Sequence, residues 1–182
     1  MSKVLLILAH PNLESSKLNA ALLKKLPISE DLLFHDLYKN SHSFKFDVAS
    51  EQKFLLKHEH IVFQFPFHWY SAPPLLRLWF DEILTHGFAY GSDGNALAGK
   101  KFSCVITTGG TSDAYQRSGY NFYTMEELLA PFMQTARLTG MIWQEPFIVQ
   151  GALTITPQEL DAKSLEYKNY ILKKIQSNRS PL

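Results

Sequence analysis

The sequence has a single cysteine, Cys104, among 182 residues, so no disulfide can form within the chain. That count suits a reducing compartment. No apolar run approaches the eighteen residues of a membrane-spanning helix. The apolar start, Val4–Ala9, is too short for a secretory signal core followed by a cleavage site. Charge is scarce in both signs. Charged residues make up 19% of the chain, and 18 basic against 17 acidic side chains leave a net charge of +1. A field that weak excludes a general nucleic-acid binder. It also speaks against a strongly acidic electron carrier that docks by charge. There is no internal repeat and no low-complexity segment. The expectation is a cytoplasmic protein, with peripheral attachment to a membrane protein left open.

What is present is apolar bulk, 46% of residues. A chain of this length buries roughly 70% of the surface its unfolded form exposes, so one core suffices. One domain over residues 1–176 is expected, with Ser177–Leu182 as a frayed tail. Short apolar runs alternate with longer mixed segments. Strands are expected at Val4–Ala9, Leu32–Leu37, Ile61–Phe65, Phe102–Thr107 and Ile142–Val149. Helices are expected from Ser15 or Ser16 to Lys25, over Ala49–His58, from Pro73 or Pro74 to Leu84, over Met125–Leu138, and from Thr156 or Pro157 to Ile175. Gly87–Gly99 reads as loop. Strand–helix alternation of this kind predicts an α/β three-layer sandwich. The expected fold is flavodoxin-like, with a five-stranded parallel sheet of order 2-1-3-4-5. Ligands of such sheets sit beyond the carboxyl ends of the strands, at the switch point.

Three loops fall at that edge. The first, His10–Asn19, joins a strand to a helix. Helix-start amides, Ser15, Ser16, His10 and Lys17 either cradle a phosphate or form a polar loop with a capping serine. It holds no glycine, which excludes the dinucleotide fingerprint and the Walker loop. The second loop, Pro66–Pro74, carries Phe67, His68, Trp69 and Tyr70 in a row. Four consecutive rings suit edge packing around a flat ring system, or a core cluster beneath the next helix. The third, Thr107–Tyr115, carries Gly109-Gly110. Paired glycines allow close backbone approach to a ligand, and amides there stabilise negative charge; the alternative is a plain turn.

Four blocks carry a resemblance. They are Ala9-His10-Pro11, the long run Phe63–Asp81, Gly87-Phe88-Ala89-Tyr90-Gly91, and Thr107-Thr108-Gly109-Gly110. Together, from about residue 3 to about residue 175, the sequence resembles the NAD(P)H:quinone oxidoreductases of the flavodoxin-like superfamily. It is most similar to the short bacterial type, which includes ancillary flavoproteins of glutathione-gated potassium efflux systems and general stress NAD(P)H oxidoreductases. The resemblance implies a non-covalent flavin, a homodimer, and two-electron reduction of quinones by NADH or NADPH in a ping-pong scheme. It implies that His10, Ser16, Lys17, Leu18 and Asn19 meet the flavin phosphate and ribityl chain. Pro66, Phe67, His68, Trp69 and Tyr70 would line the isoalloxazine. Thr107, Gly109, Gly110 and Tyr115 would close its pyrimidine side, with Tyr115 as a catalytic donor. Phe88 and Tyr90 would reach the partner subunit's site. FMN is favoured over FAD because the long C-terminal extension of DT-diaphorase-like enzymes is lacking. One departure stands out. Six positions after the tyrosine those enzymes carry a relay histidine, and here the count lands on Asn121, which is no acid at neutral pH. Any relay then falls to Tyr115, Tyr120 or water.

Other features read as scaffold. His58-Glu59-His60 lacks a third metal ligand and reads as a solvated helix end, so no metal is expected. Cys104 reads as an inert core thiol. Of Trp79 and Phe80, one is expected in the core and one on a dimer surface. Rival readings are a regulatory flavoprotein subunit of a potassium efflux system, and an azo- or nitro-reductase using the same flavin face. A one-electron flavodoxin carrier is disfavoured by the low net charge and the missing phosphate loop.

Overall fold

The computed structural model describes residues 4–41 and 43–176. Its parallel sheet has the order β2-β1-β3-β4-β5, with a sixth strand, β6, also paired to β4. The strands are β1 (Val4–Leu8), β2 (Leu32–Asp36), β3 (His60–Pro66), β4 (Lys101–Thr107), β5 (Ile142–Trp143) and β6 (Phe147–Val149). The expected order is therefore present. The single expected fifth strand is two short ones. Between them the offset to the β4 partner grows by one residue, which is a bulge. Pro146 sits in that bulge, where its missing N–H costs no ladder bond.

Both faces of the sheet are covered, so its strands are apolar throughout rather than alternating. Leu5, Ile7, Ile61, Phe63 and Phe65 face the layer of α3 (Val48–Lys57) and α4 (Pro74–Ile83). Val4, Leu6 and Val62 face α1 (Lys17–Lys24) and α7 (Pro157–Gln176). This is the period-two alternation of a strand, buried on both sides. On the first face Phe63 lies edge-on to Trp79 and Phe80, with ring centroids 5.5 and 5.1 Å away. Trp79 and Phe80 are both buried, so neither supplies the expected surface ring. Trp79 Nε1 donates to Glu51 Oε2 at 2.8 Å, and His35 Nε2 lies 2.9 Å from Glu51 Oε1. A buried carboxylate is tolerable only with such partners.

The helix starts follow their caps. Ser16 Oγ accepts from Asn19 N and opens α1. Asp36 caps α2 (Leu37–Asn40), a short helix not expected from the sequence. The expected helix over Met125–Leu138 is broken into α5 (Met125–Leu128) and α6 (Ala130–Leu138). Pro131 has no N–H and its ring crowds the carbonyl four residues back, which forces the break. His58 and His60 are not a solvated helix end: both are buried where β3 begins. Cys104 is buried in β4, and burial raises its thiol pKa well above the ordinary value, so it stays protonated. Among the described residues no helix is long and apolar enough to cross a membrane. The expected frayed tail lies outside the described residues.

Candidate active site

The strand register brings four loops to one edge. Leu8 pairs with Gln64, Pro66 with Thr107, and Thr107 with Val149, so the carboxyl ends are level. Backbone bonds then stitch the loops together. Ala9 N donates to Gln64 O at 2.9 Å and Phe67 N to Thr107 O at 2.8 Å. Thr108 N donates to Val149 O at 3.0 Å, and Ala152 N returns to Thr108 O at 3.0 Å. Between them lies an open cleft of about 510 Å³, within the usual size of a small-ligand site.

His10, Ser16, Lys17, Leu18, Pro66, Phe67, His68, Thr107 and Gly109, nine of the expected site residues, line it. Ser15, Thr108, Ala152 and Leu153 line it as well. Ala152 and Leu153 belong to a fourth loop that sequence reasoning missed. Its one signal is Gly151, which turns the chain after β6 with φ +80°.

Part of the lining is polar and basic. Of the first-turn amides of α1, that of Asn19 is capped by Ser16 Oγ, and those of Lys17 and Leu18 have no intrahelical acceptor. Lys17 stands beside them with its Nζ tied to Ile155 O at 2.8 Å, which also holds the fourth loop against α1. His10 Nδ1 accepts from Asn12 N at 3.2 Å. The ring proton therefore sits on Nε2, the nitrogen left to donate. Burial, and then the nearby His68, lower the His10 pKa, so the ring is neutral at neutral pH.

Another part of the lining is aromatic. Phe67 lies in the lining, and the Tyr115 ring packs 6.5 Å from it. Burial raises the Tyr115 pKa, which keeps the phenol a donor at neutral pH. A Cβ added at Gly109 would meet nothing within 4 Å, and one at Gly110 would meet Tyr115 at an ordinary 3.4 Å. The protein's own packing requires neither glycine. The space before them is open for a ligand. Trp69 and Tyr70 stand outside the lining on a tight turn closed by Ser71 N to His68 O at 3.0 Å. Both have left-handed backbone, with φ 50° and 58°, and Trp69 is 93% exposed.

Gly110 and Tyr115 are likewise not part of the lining, and three further expected site residues lie away from it. Asn19 is 1% exposed, beneath the cleft floor, and bonds Thr107 and Gln64 rather than the cavity. Its place on the buried face of α1 is the reason. Phe88 packs against the core, and the Tyr90 ring lies edge-on to His86, so neither reaches this chain's own cleft.

A family model described as flavodoxin-like fold, Flavodoxin_2, matches residues 2–171. The chain is 43% identical over 169 residues to the glutathione-regulated potassium-efflux system ancillary protein KefG of Pectobacterium carotovorum, covering 93% of this chain and 92% of that protein. It also superposes on the crystal structure of general stress protein 14 from Treponema denticola in complex with FMN. The TM-score is 0.89 and the identity 34%, over 94% of this chain and 99% of that one. An NADPH-quinone reductase from P. pentosaceus gives a TM-score of 0.83 at 31% identity, over 92% of this chain and 96% of the other.

Proposed function

The chain belongs to the Flavodoxin_2 family of flavodoxin-like fold, and from that membership we propose that it is an FMN-dependent NAD(P)H:quinone oxidoreductase. The observation that carries the proposal is the cleft itself. The lining of this cleft of about 510 Å³ combines polar and basic groups, His10, Ser16 and Lys17, with the Phe67 and His68 rings. The related Treponema protein is described in complex with FMN, and the related P. pentosaceus protein is named a quinone reductase. Residues 1–176 are proposed as the single flavin-binding domain.

When bound, FMN would supply two-electron hydride chemistry between NAD(P)H and a quinone, in a ping-pong scheme. The chain's residues bind and orient. His10 Nε2–H, Ser16, Lys17 and the first-turn amides of α1 hold the phosphate. Pro66, Phe67 and His68 border the ring, and Trp69 and Tyr70 frame the face where nicotinamide and quinone alternate. The Gly109 and Gly110 backbone would stabilise charge on the bound ring, and the Tyr115 phenol would be a donor to it. Asn121 cannot relay a proton, so that task falls to Tyr115 or water.

A homodimer completes the proposal. Phe88 and Tyr90, turned away from their own cleft, would serve the partner's. The likeness to KefG supports a second reading, a regulatory subunit docked on a potassium efflux protein from the cytoplasmic side. Co-purification with such a transporter supports it, and unchanged potassium efflux in a deletion strain removes it.

The test is an absorption spectrum after incubation with FMN or FAD and desalting. A retained flavin band, bleached by NADPH or NADH and restored by menadione, is the expected result. A flavin retained but not bleached favours the regulatory reading. No retained flavin of either kind overturns the proposal.

A further inference from the structure

A chain of four buried side chains runs from α7 to the cleft floor. Tyr167 Oη donates to Gln64 Oε1 at 2.6 Å. Gln64 Nε2 donates to Asn19 Oδ1 at 3.1 Å, and Asn19 Nδ2 donates to Thr107 Oγ1 at 2.8 Å. Tyr167 and Gln64 are both 0% exposed. Thr107 is the last link and the only one of the four that lines the cleft.

The sense of this chain is decided at its far end. A phenol has one proton, and each amide presents an oxygen on one side and an NH2 on the other. Two senses are self-consistent along the middle. In the reverse sense Thr107 would donate to Asn19, Asn19 to Gln64, and Gln64 to the Tyr167 oxygen. The Tyr167 proton would then need another acceptor. Among the described residues its hydroxyl has Gln64 as its hydrogen-bond partner. A buried unpaired donor is costly enough to disfavour the reverse sense by roughly one to two orders of magnitude in population. Burial, and then the nearby Tyr170, raise the Tyr167 pKa, so the phenol keeps its proton throughout the working range.

We propose that Tyr167 and Gln64 are positioning residues that, through Asn19, commit the Thr107 hydroxyl to donate into the cleft. Thr107 Oγ1 already accepts from Asn19, so its own proton is directed to an acceptor atom of the bound group. This rests on the proposed FMN site and adds a specificity to it. The floor at Thr107 favours a ligand with a hydrogen-bond acceptor there.

The test is a double-mutant cycle on FMN affinity, read by quenching of flavin fluorescence, with a thermal melt of each FMN-free variant. Thr107→Val and Tyr167→Phe should each weaken FMN about 5-fold, the net worth of one neutral hydrogen bond. The double variant should bind no more weakly than Thr107→Val alone. Thr107→Ser, which keeps the hydroxyl, should bind as the wild type does. It should lose the same 5-fold when Tyr167→Phe is added. A general loosening of the fold would act equally in the threonine and valine backgrounds. Wild-type affinity in Tyr167→Phe, or additive losses in the double variant, overturns the relay while leaving the FMN site standing. If Tyr167→Phe does not fold, Gln64→Met cuts the same chain and takes its place in the cycle with the same expectations. A wild-type protein that binds no FMN overturns the functional proposal instead.

Discussion

The Tyr70 hydroxyl donates to Asn121 Oδ1 at 3.0 Å, joining the turn after β3 to the loop after β4. Asn121 is itself anchored, its N–H donating to Ala114 O at 2.9 Å. The residue that stands where DT-diaphorase-like enzymes carry a relay histidine therefore holds the aromatic turn in place. A solvent-exposed neutral hydrogen bond is worth about 1 kcal/mol. In a chain of this size that corresponds to a fall in Tm of about 2–4 °C. Tyr70→Phe and Asn121→Ala should each show that fall by calorimetry, and the double variant should lose no more than one of them. Additive losses would mean that the two side chains act independently.

Gly109 and Gly110 separate a structural from a functional reason for glycine. Neither has positive φ, and neither added Cβ meets a backbone atom. Gly109→Val should leave the Tm of the FMN-free protein within about 2 °C of wild type, an ordinary surface effect. FMN affinity should fall at least tenfold, because the new side chain projects into open cleft. Gly94→Ala is the control. Its Cβ would collide with the Tyr90 backbone carbonyl, so it should destabilise the fold directly. Undiminished flavin binding in Gly109→Val would remove the third loop from the site.

Most of the fold was legible because the strands are buried on both faces and so appear as unbroken apolar runs. The break before α6 and the bulge before β6 each trace to a proline, Pro131 and Pro146, whose local effect is simple but whose surroundings decide between a kink and an end. Three of the cleft's four loops carry residue types that announce chemistry. The fourth contributes Ala152 and Leu153, which carry none, and only the level ends of the strands bring them in. Asn19 entered the expected site only through the family resemblance. Its partners lie 45 and 88 residues away in the chain, so its burial could not be read locally. His58 and His60 flank the charged Glu59, which suggested water. The start of β3 is covered all the same, with Lys174 of α7 close enough to act on His60.

That covering has a pH consequence. Burial, then the charges of Lys174 and Lys101, push the His60 pKa from 6.5 down to about 3. His60 Nε2 keeps one partner, Ser103 Oγ at 2.6 Å. A histidine with a lowered folded pKa binds more protons unfolded than folded. Stability is therefore fully present above about pH 6.5 and lost as the pH falls towards 3. Across that window this one group contributes a loss of up to about 1.4 kcal/mol per pH unit. Urea midpoints from pH 7 to pH 4 should fall less steeply in His60→Gln than in wild type. Parallel slopes would show that His60 does not govern the acid limb.

The turn at Trp69 and Tyr70 sets stability against function. Both residues hold left-handed backbone, which costs a bulky L-residue of order 1–2 kcal/mol. Packing does not repay it at Trp69, whose side chain is 93% exposed. Asparagine tolerates that conformation far better. Trp69→Asn should therefore raise the Tm of the FMN-free protein by about 2–4 °C, the equivalent of roughly 1 kcal/mol. It should also lower quinone turnover, because the ring proposed to frame the acceptor is gone. A stabilised variant with undiminished turnover would leave the ring without a part in catalysis and point to another use for the strain, such as the contact between subunits. A Tm that falls would mean that the Trp69 side chain stabilises the fold despite its exposure, and that the strain is smaller than its backbone angle implies.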